Sequence, residues 1–348
     1  MAEAHTQILL SNTYHLMLQP RGENVKKLGG LHKLIGWNKP MLTDSGGFQI
    51  FSLGHGSIAQ EIKGRRQISS KHKGTLFKLT EDGAIFKSYI DGAMHLLTPE
   101  KSMQVQRDLG ADLIVVLDEC TPFHVDKNYT RHSMEMSHRW ATRSHTEFVR
   151  GDTGIQKLYG IVQGGVYEDL RLESCDFVNS NQFFGHAIGG SLGADSAQMN
   201  AVVAFTAKRL NESRPIHLLG IGGVKDIFKG VACGIDTFDC VHPTRIARHG
   251  GALVKGGNGL GREHINLRNA AYASNAMPID EQCQCYTCNN FSMGYLHHLL
   301  KAKELLAMQL VSIHNVRFMN QLMEDIRGCL DSANDLTVLE KEYTQSQT

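Results

Sequence analysis

Residues 113–122 read Leu-Ile-Val-Val-Leu-Asp-Glu-Cys-Thr-Pro. Five apolar residues, three of them β-branched, are too few for a helix. They fit a strand buried on both faces, which is how strands of parallel sheets look. The run ends abruptly in Asp118, and the same pattern recurs along the chain. Ile8 to Leu10 precedes Ser-Asn-Thr-Tyr-His, Pro40 to Thr43 precedes Asp-Ser-Gly-Gly-Phe-Gln, and Leu158 to Val162 precedes Gln-Gly-Gly. His186 to Ile188 precedes Gly-Gly-Ser-Leu-Gly, His217 to Leu219 precedes Gly-Ile-Gly-Gly, and Ile235 to Phe238 precedes Asp-Cys-Val-His-Pro-Thr-Arg.

Helical segments lie between these runs. Thr98 to Leu109 opens Thr-Pro-Glu, a cap residue followed by proline at the first helical position. Asp126 to Arg150 and Asp195 to Leu210 also open on plausible Asp caps. Strand–helix alternation with buried strands predicts an α/β fold with a parallel sheet, and polar residues after the strands put the chemistry at the strands' C-terminal ends. A closed (β/α)8 barrel needs one strand more than the seven runs. The first run starts at residue 8, with no room for a preceding βα unit, so either the sheet is open or the first barrel strand is missing. Residues 53–95 break the alternation. Leu76 to Leu79 and Ile85 to Ile90 flank Glu81-Asp82-Gly83, a hairpin signal within an inserted β region.

Composition narrows the class. An apolar fraction of 41% over 348 residues is enough for a large core and rules out a disordered or fibrous chain. No run of apolar residues is long enough to span a bilayer, and the N-terminus lacks the pattern of a signal peptide. The formal net charge is +1, so bulk charge does not point to nucleic acid. Between Arg245 and Arg268, however, there are five Lys/Arg against one Glu, a stripe that is either a solvated face or a phosphate contact. Three of the eight cysteines crowd into Cys283, Cys285 and Cys288. That is the mark of a metal cluster in a reducing, cytoplasmic setting, not of a disulfide framework.

Three thiolates and an imidazole suit tetrahedral zinc, and four protein ligands leave no open position, so the expected metal is structural. The fourth ligand is His314, in a helical stretch from Lys301 to Ile326, or else His297 or His298; spacing alone leaves these open. Asp44, Asp118 and Asp239 each follow a strand. A carboxylate there is costly unless it is solvated, paired or used. One alone reads as a cap or turn residue, but three at equivalent strand ends would share one mouth. Paired carboxylates can serve as nucleophile and acid/base at an acetal carbon. Gln163-Gly164-Gly165 and Gly189-Gly190-Ser191 would offer an amide and exposed backbone groups to a flat heterocycle, although phosphate-binding or plain tight turns fit the glycines as well.

Taken together, TDSGGFQIFSLG, LDECTPF, YGIVQGGVYEDLR, GIDTFDC followed by PTR, and CQCYTC with IHNVRFM resemble the tRNA-guanine transglycosylases, from about residue 8 to about residue 330. The resemblance implies one (β/α)8 TIM-barrel domain over 1–348, with the β insertion at 53–95 and a zinc subdomain at 275–320. It implies exchange of guanine at the wobble position of tRNAs with GUN anticodons for queuine or a related 7-deazaguanine. Carried over residue by residue, Asp239 is the nucleophile and Asp44 the general acid/base. Asp118 and Gln163 hold the edge of the base, Gly190 gives a backbone contact, and Phe48 and Leu219 sandwich the ring. Arg245 and Arg248 meet the anticodon loop, and Cys283, Cys285, Cys288 and His314 bind zinc. A homodimer is also implied. The chain departs from the family in lacking roughly fifty N-terminal residues and in reading Gly189-Gly190-Ser191-Leu192-Gly193-Ala194-Asp195 where bacterial members have Gly-Gly-Leu-Ala-Val-Gly-Glu. Gly193 in place of valine suggests room for the larger base, queuine, whereas Cys120 keeps the bacterial pattern of the aminomethyl-deazaguanine enzymes. The alternative of a different class is a non-catalytic tRNA-binding partner subunit. Retention of all three aspartates argues against it.

Overall fold

The computed structural model describes residues 1–49, 76–123, 125–257 and 262–345. They form two compact units, one of Ile8–Leu219 with Cys233–Thr237, the other of Met1–Gln7, Gly220–Ala232 and Phe238–Thr348.

In the first unit, β1 (Leu9–Ser11), β2 (Met41–Thr43), β3 (Leu76–Thr80), β4 (Gly83–Lys87), β5 (Met94–Leu97), β6 (Leu113–Val115), β7 (Lys157–Val162), β8 (Gly185–Ile188) and β9 (Ile216–Leu218) are followed by β10 (Thr237–Phe238), where the unit ends. Seven strands form one sheet in the order β1-β2-β6-β7-β8-β9-β10. The pairs from β1 to β9 are all parallel. Each of the seven apolar runs overlaps one of these strands. Spatial order follows chain order without reversal, so the sheet is singly wound, as in barrels, and has no switch point of the doubly wound kind. The described residues therefore form an α/β fold on a seven-strand sheet, in line with the seven apolar runs and one strand short of a closed (β/α)8 barrel.

The crossover helices are Pro99–Leu109, Lys127–Arg150, Glu168–Ser180 and Ser196–Ala207. Thr98, Asp126 and Asp195 cap three of them, each side chain accepting an N–H one turn in. The last of these helices stops at Ala207, short of Leu210, because Arg209 and Leu210 bond back to the Thr206 and Ala207 carbonyls in tighter turns.

The expected hairpin exists as β3–β4, with Thr80 opposite Gly83, and β5 adds an antiparallel third strand that the sequence did not announce. Met94 and Leu96 are exposed, only Leu97 is buried, and His95 interrupts the apolar residues, so no apolar run marks it. Residues 53–75 of the anticipated insertion lie outside the described residues. Tyr14, Phe86, Leu97, Leu117, Met136 and Trp140 pack together and tie the hairpin sheet to the helix Lys127–Arg150. The Trp140 indole donates to the Glu81 carbonyl at 2.8 Å.

The second unit pairs β11 (Gly251–Leu253) with β12 (His264–Asn266) in antiparallel fashion, beside the helices Val224–Ala232, His242–Arg248, Met293–Ala302, Leu305–Asp331 and Leu336–Thr344. The expected helix from Lys301 to Ile326 is two helices, since Lys303 turns left-handed at φ 62° and ends the first. Asn315, on the long helix, accepts Leu253 N–H and donates to the Pro243 and Gly251 carbonyls, which fixes that helix against β11. Among the described residues no helix is long and apolar enough to cross a membrane, and none of the eight cysteines is in a disulfide.

Candidate active site and metal centre

The first unit gathers Asp44, Asp118, Gln163, Gly190 and Leu219 at the C-terminal ends of its strands. Asp44 follows β2 directly. Its Oδ1 accepts the Thr13 N–H at 2.8 Å and its Oδ2 accepts from the Asn12 amide at 2.6 Å. Asn12 also caps the short helix Thr13–Leu18 through His15 N–H, so the segment after β1 holds the carboxylate that follows β2. Asn12 and Thr13 were missed as site residues. The signal was present in Ser-Asn-Thr-Tyr-His, an Asx cap after a strand, but only the β1–β2 pairing shows which carboxylate it serves.

Asp118 is 7% exposed. Gln163 Nε2 donates to its Oδ2 at 2.5 Å and Ser45 Oγ to its Oδ1 at 3.4 Å. Burial pushes its pKa up to about 7, opposed by those two hydrogen bonds and reinforced by the charge of Asp44. Asp44 and Asp118 therefore sit in different surroundings. Asp44 is half-buried and hydrogen-bonded, whereas Asp118 is dry, with its pKa raised to about 7. Cys120 has its thiol pushed up to about 12 by burial, with the charges of Asp118 and Glu119 adding to the effect.

Glycines let the backbone close in here. A Cβ on Gly47 would stand 2.6 Å from the Asp118 carbonyl oxygen, and one on Gly190 would stand 2.3 Å from Gln163 Oε1. Leu219 lies beside Gly189, and Phe48 is exposed next to Gly47. Gly193 sits at φ 135°, and the nearest atoms to a Cβ there belong to Gln198, not to Gly190 or Gln163. The missing side chain therefore frees space beside Gln198, which weakens the argument for a larger base from Gly193.

In the second unit Asp239 follows β10, and the Gly220 N–H donates to its Oδ1 at 2.8 Å. Sequence alone did not select Gly220, because a backbone donor leaves no mark in residue type. Arg245 and Arg248 lie one turn apart on His242–Arg248, both exposed, with proline at the helix start.

The same unit brings Cys283, Cys285, Cys288 and His314 together, with all four donor atoms within 4.8 Å of one another. His314 Nδ1 lies 3.9 Å from Cys285 Sγ and 3.3 Å from Cys288 Sγ. Tetrahedral zinc with ordinary Zn–S and Zn–N bonds would separate such atoms by roughly 3.5 Å. His314 Nε2 meets the Leu253 carbonyl at 2.8 Å, which leaves Nδ1 for the cluster. Cys285 begins the short helix Tyr286–Asn290 and its sulfur accepts Cys288 N–H. Sulfur–hydrogen donors from Cys283 and Cys288 pull the Cys285 thiol far down. The cluster could hold a metal, and its donor set is compatible with zinc. His297, one alternative ligand, instead bonds the Leu267 carbonyl, and His298 is exposed.

A singly wound sheet with carboxylates at its strand ends, in a chain that also carries a Cys3His cluster, places the protein among α/β proteins with a cluster that could hold a metal. The family model described as queuine tRNA-ribosyltransferase matches residues 1–347. Relatives bearing that name include one from Roseiflexus sp. (strain RS-1), 48% identical over 92% of this chain and 82% of the relative. Another, from Protochlamydia amoebophila, is 44% identical over 92% of this chain and 81% of its own length. A third, from Halothermothrix orenii, is 43% identical over 93% and 79%. The chain belongs to the queuine tRNA-ribosyltransferase family.

Proposed function

We propose that this chain is a tRNA-guanine transglycosylase that exchanges guanine at the wobble position of tRNAs with GUN anticodons for queuine. The observation that carries this is the pairing of family membership with a dry Asp118–Gln163 edge beside a half-buried, hydrogen-bonded Asp44. A carboxylate and an amide at hydrogen-bond distance present an acceptor and an amide to the edge of a purine-like base. Asp239 is proposed to attack C1′ of the target ribose, forming a tRNA–enzyme ester, while Asp44 gives a proton to the departing guanine. The incoming base then returns a proton to Asp44 and attacks C1′, and two displacements retain the configuration. Gly190 adds a backbone contact, Phe48 and Leu219 stack on the base, and Arg245 and Arg248 hold the anticodon loop.

Cys283, Cys285, Cys288 and His314 would hold zinc, which when bound supplies a closed structural cross-link and takes no part in the displacements. The seven parallel strands fit seven of the eight in a (β/α)8 barrel, in one catalytic domain with the Cys3His subdomain at 275–320. A cytoplasmic homodimer completes the reading. A molecular mass by light scattering at micromolar concentration tests the assembly, and a clean monomer mass would refute it.

The second reading, exchange of the aminomethyl-deazaguanine precursor, is favoured by Cys120 and by the Gln198 contact at Gly193. Competition of the two bases for exchange into guanine-34 tRNA separates them. A tenfold preference in kcat/KM for the aminomethyl base, roughly 1.4 kcal/mol, would overturn queuine. Absence of exchange with either base, with tRNA still bound, would favour a partner subunit.

A further inference from the structure

Arg171 is 1% exposed, on the helix Glu168–Ser180, and among the described residues all its hydrogen bonds go to backbone carbonyls. Nε donates to Gly165 O at 2.7 Å. Nη1 donates to Val162 O at 3.1 Å and to Gly189 O at 3.0 Å, and Nη2 donates to Ser191 O at 3.3 Å. Two of these carbonyls flank the Gln163 loop and two flank the Gly190 loop. Four carbonyl oxygens converging on one buried point repel each other unless a cation stands there. A buried guanidinium is in turn costly without partners. Each therefore requires the other. Burial lowers the guanidinium pKa to about 10, which leaves it charged at neutral pH.

The orientation has a consequence for recognition. In a trans peptide the C=O and N–H point in opposite directions. Drawing the Gly189 carbonyl to Arg171 turns the Gly190 N–H the other way, towards the Cys120 thiol and the Asp118 side of the site. Gly190 at φ 76° and Gly165 at φ 58° adopt conformations open to glycine, so those two positions have no side chains of their own to hold them there. One turn further along the helix, Ser174 Oγ accepts the Gln163 N–H at 3.0 Å. One helix face thus grips the first loop at two points and ties it to the second.

We propose that Arg171 is a positioning residue for base recognition, its guanidinium locking the Gln163 loop to the Gly190 loop so that amide and N–H face the base together. The inference rests on the transglycosylase reading above. Arg171→Lys keeps the charge, but a single ammonium with three donors cannot span four carbonyls on two loops. Trp140→Phe, in the core under the hairpin sheet, serves as a control for general loss of stability. In the full chain, hydrogen exchange should speed at least tenfold in residues 162–166 and 188–192 of Arg171→Lys and stay unchanged elsewhere. KM for free guanine should rise at least tenfold, with a smaller fall in kcat. Trp140→Phe should show neither effect. If Arg171→Lys does not fold, Arg171→Gln, which keeps two donors without a buried charge, takes its place with the same expectations. Unchanged loop protection, loss spread evenly over the chain, or an unchanged guanine KM would overturn the proposal. A wild-type chain that exchanges no guanine would instead sink the transglycosylase reading on which it rests.

Discussion

Replacing Asp118 by asparagine should separate stability from activity along the pH axis. Asp118 is buried, and its pKa stands at about 7 in place of the ordinary 3.8. Between those values the folded chain keeps a proton that the unfolded chain has released, so stability falls as pH rises across that window. The cost is absent below about 3.8 and fully present above about 7. At about 1.4 kcal/mol per tenfold, it comes to roughly 4 kcal/mol. Asparagine is close in shape to the protonated carboxyl and does not titrate. Urea denaturation midpoints at pH 4, 6 and 8 should therefore show Asp118→Asn gaining on the wild type as pH rises, by roughly 4 kcal/mol in total. Exchange should move in the opposite direction. On the proposed role, an ionised Asp118 accepts from the base, so the wild type should gain kcat/KM as pH rises through 7, over the same range in which it loses stability, while the variant stays poorly active throughout. A stability gap between the two proteins that is constant from pH 4 to pH 8 would refute the reasoning, because it would mean that Asp118 titrates alike in the folded and unfolded chains.

Asp239→Asn should fold normally and form no covalent tRNA adduct on a denaturing gel, since a neutral amide is a poor nucleophile; an adduct that survives in the variant would contradict its role. Cys285→Ser should lose both metal and thermal stability, because ligand binding at a closed site is folding energy. Elemental analysis showing the same metal content in variant and parent would contradict the site. Gly47→Ala places a Cβ 2.6 Å from a backbone oxygen, which cannot yield as a flexible side chain would. It should cost about 1–3 kcal/mol and weaken base binding by displacing Asp118. An unaltered melting temperature and guanine KM would show that the backbone there relaxes freely.

The local rules were enough for much of the architecture. The inner parallel strands were legible because a strand buried on both faces must be apolar along its length, as Leu113 to Leu117 is. Thr98, Asp126 and Asp195 announced their helices because a cap is a local hydrogen bond, satisfied within one turn of the chain. Cys283, Cys285 and Cys288 were legible because thiolates at that spacing have few other uses. What needed the tertiary structure is whatever depends on residues far apart in the chain. On spacing alone His314 was one of three histidines; the fold turns its Nδ1 to the sulfurs and sends His297 to the Leu267 carbonyl. Asn12 and Thr13 became partners of Asp44 only because β1 lies beside β2. Nothing local in the sequence singles out Arg171, which the fold buries among four carbonyls from two loops. Backbone groups carry no residue type, so no motif could have pointed to the Gly220 N–H on Asp239 or to the carbonyls around Arg171. Their positions follow only from how the chain packs.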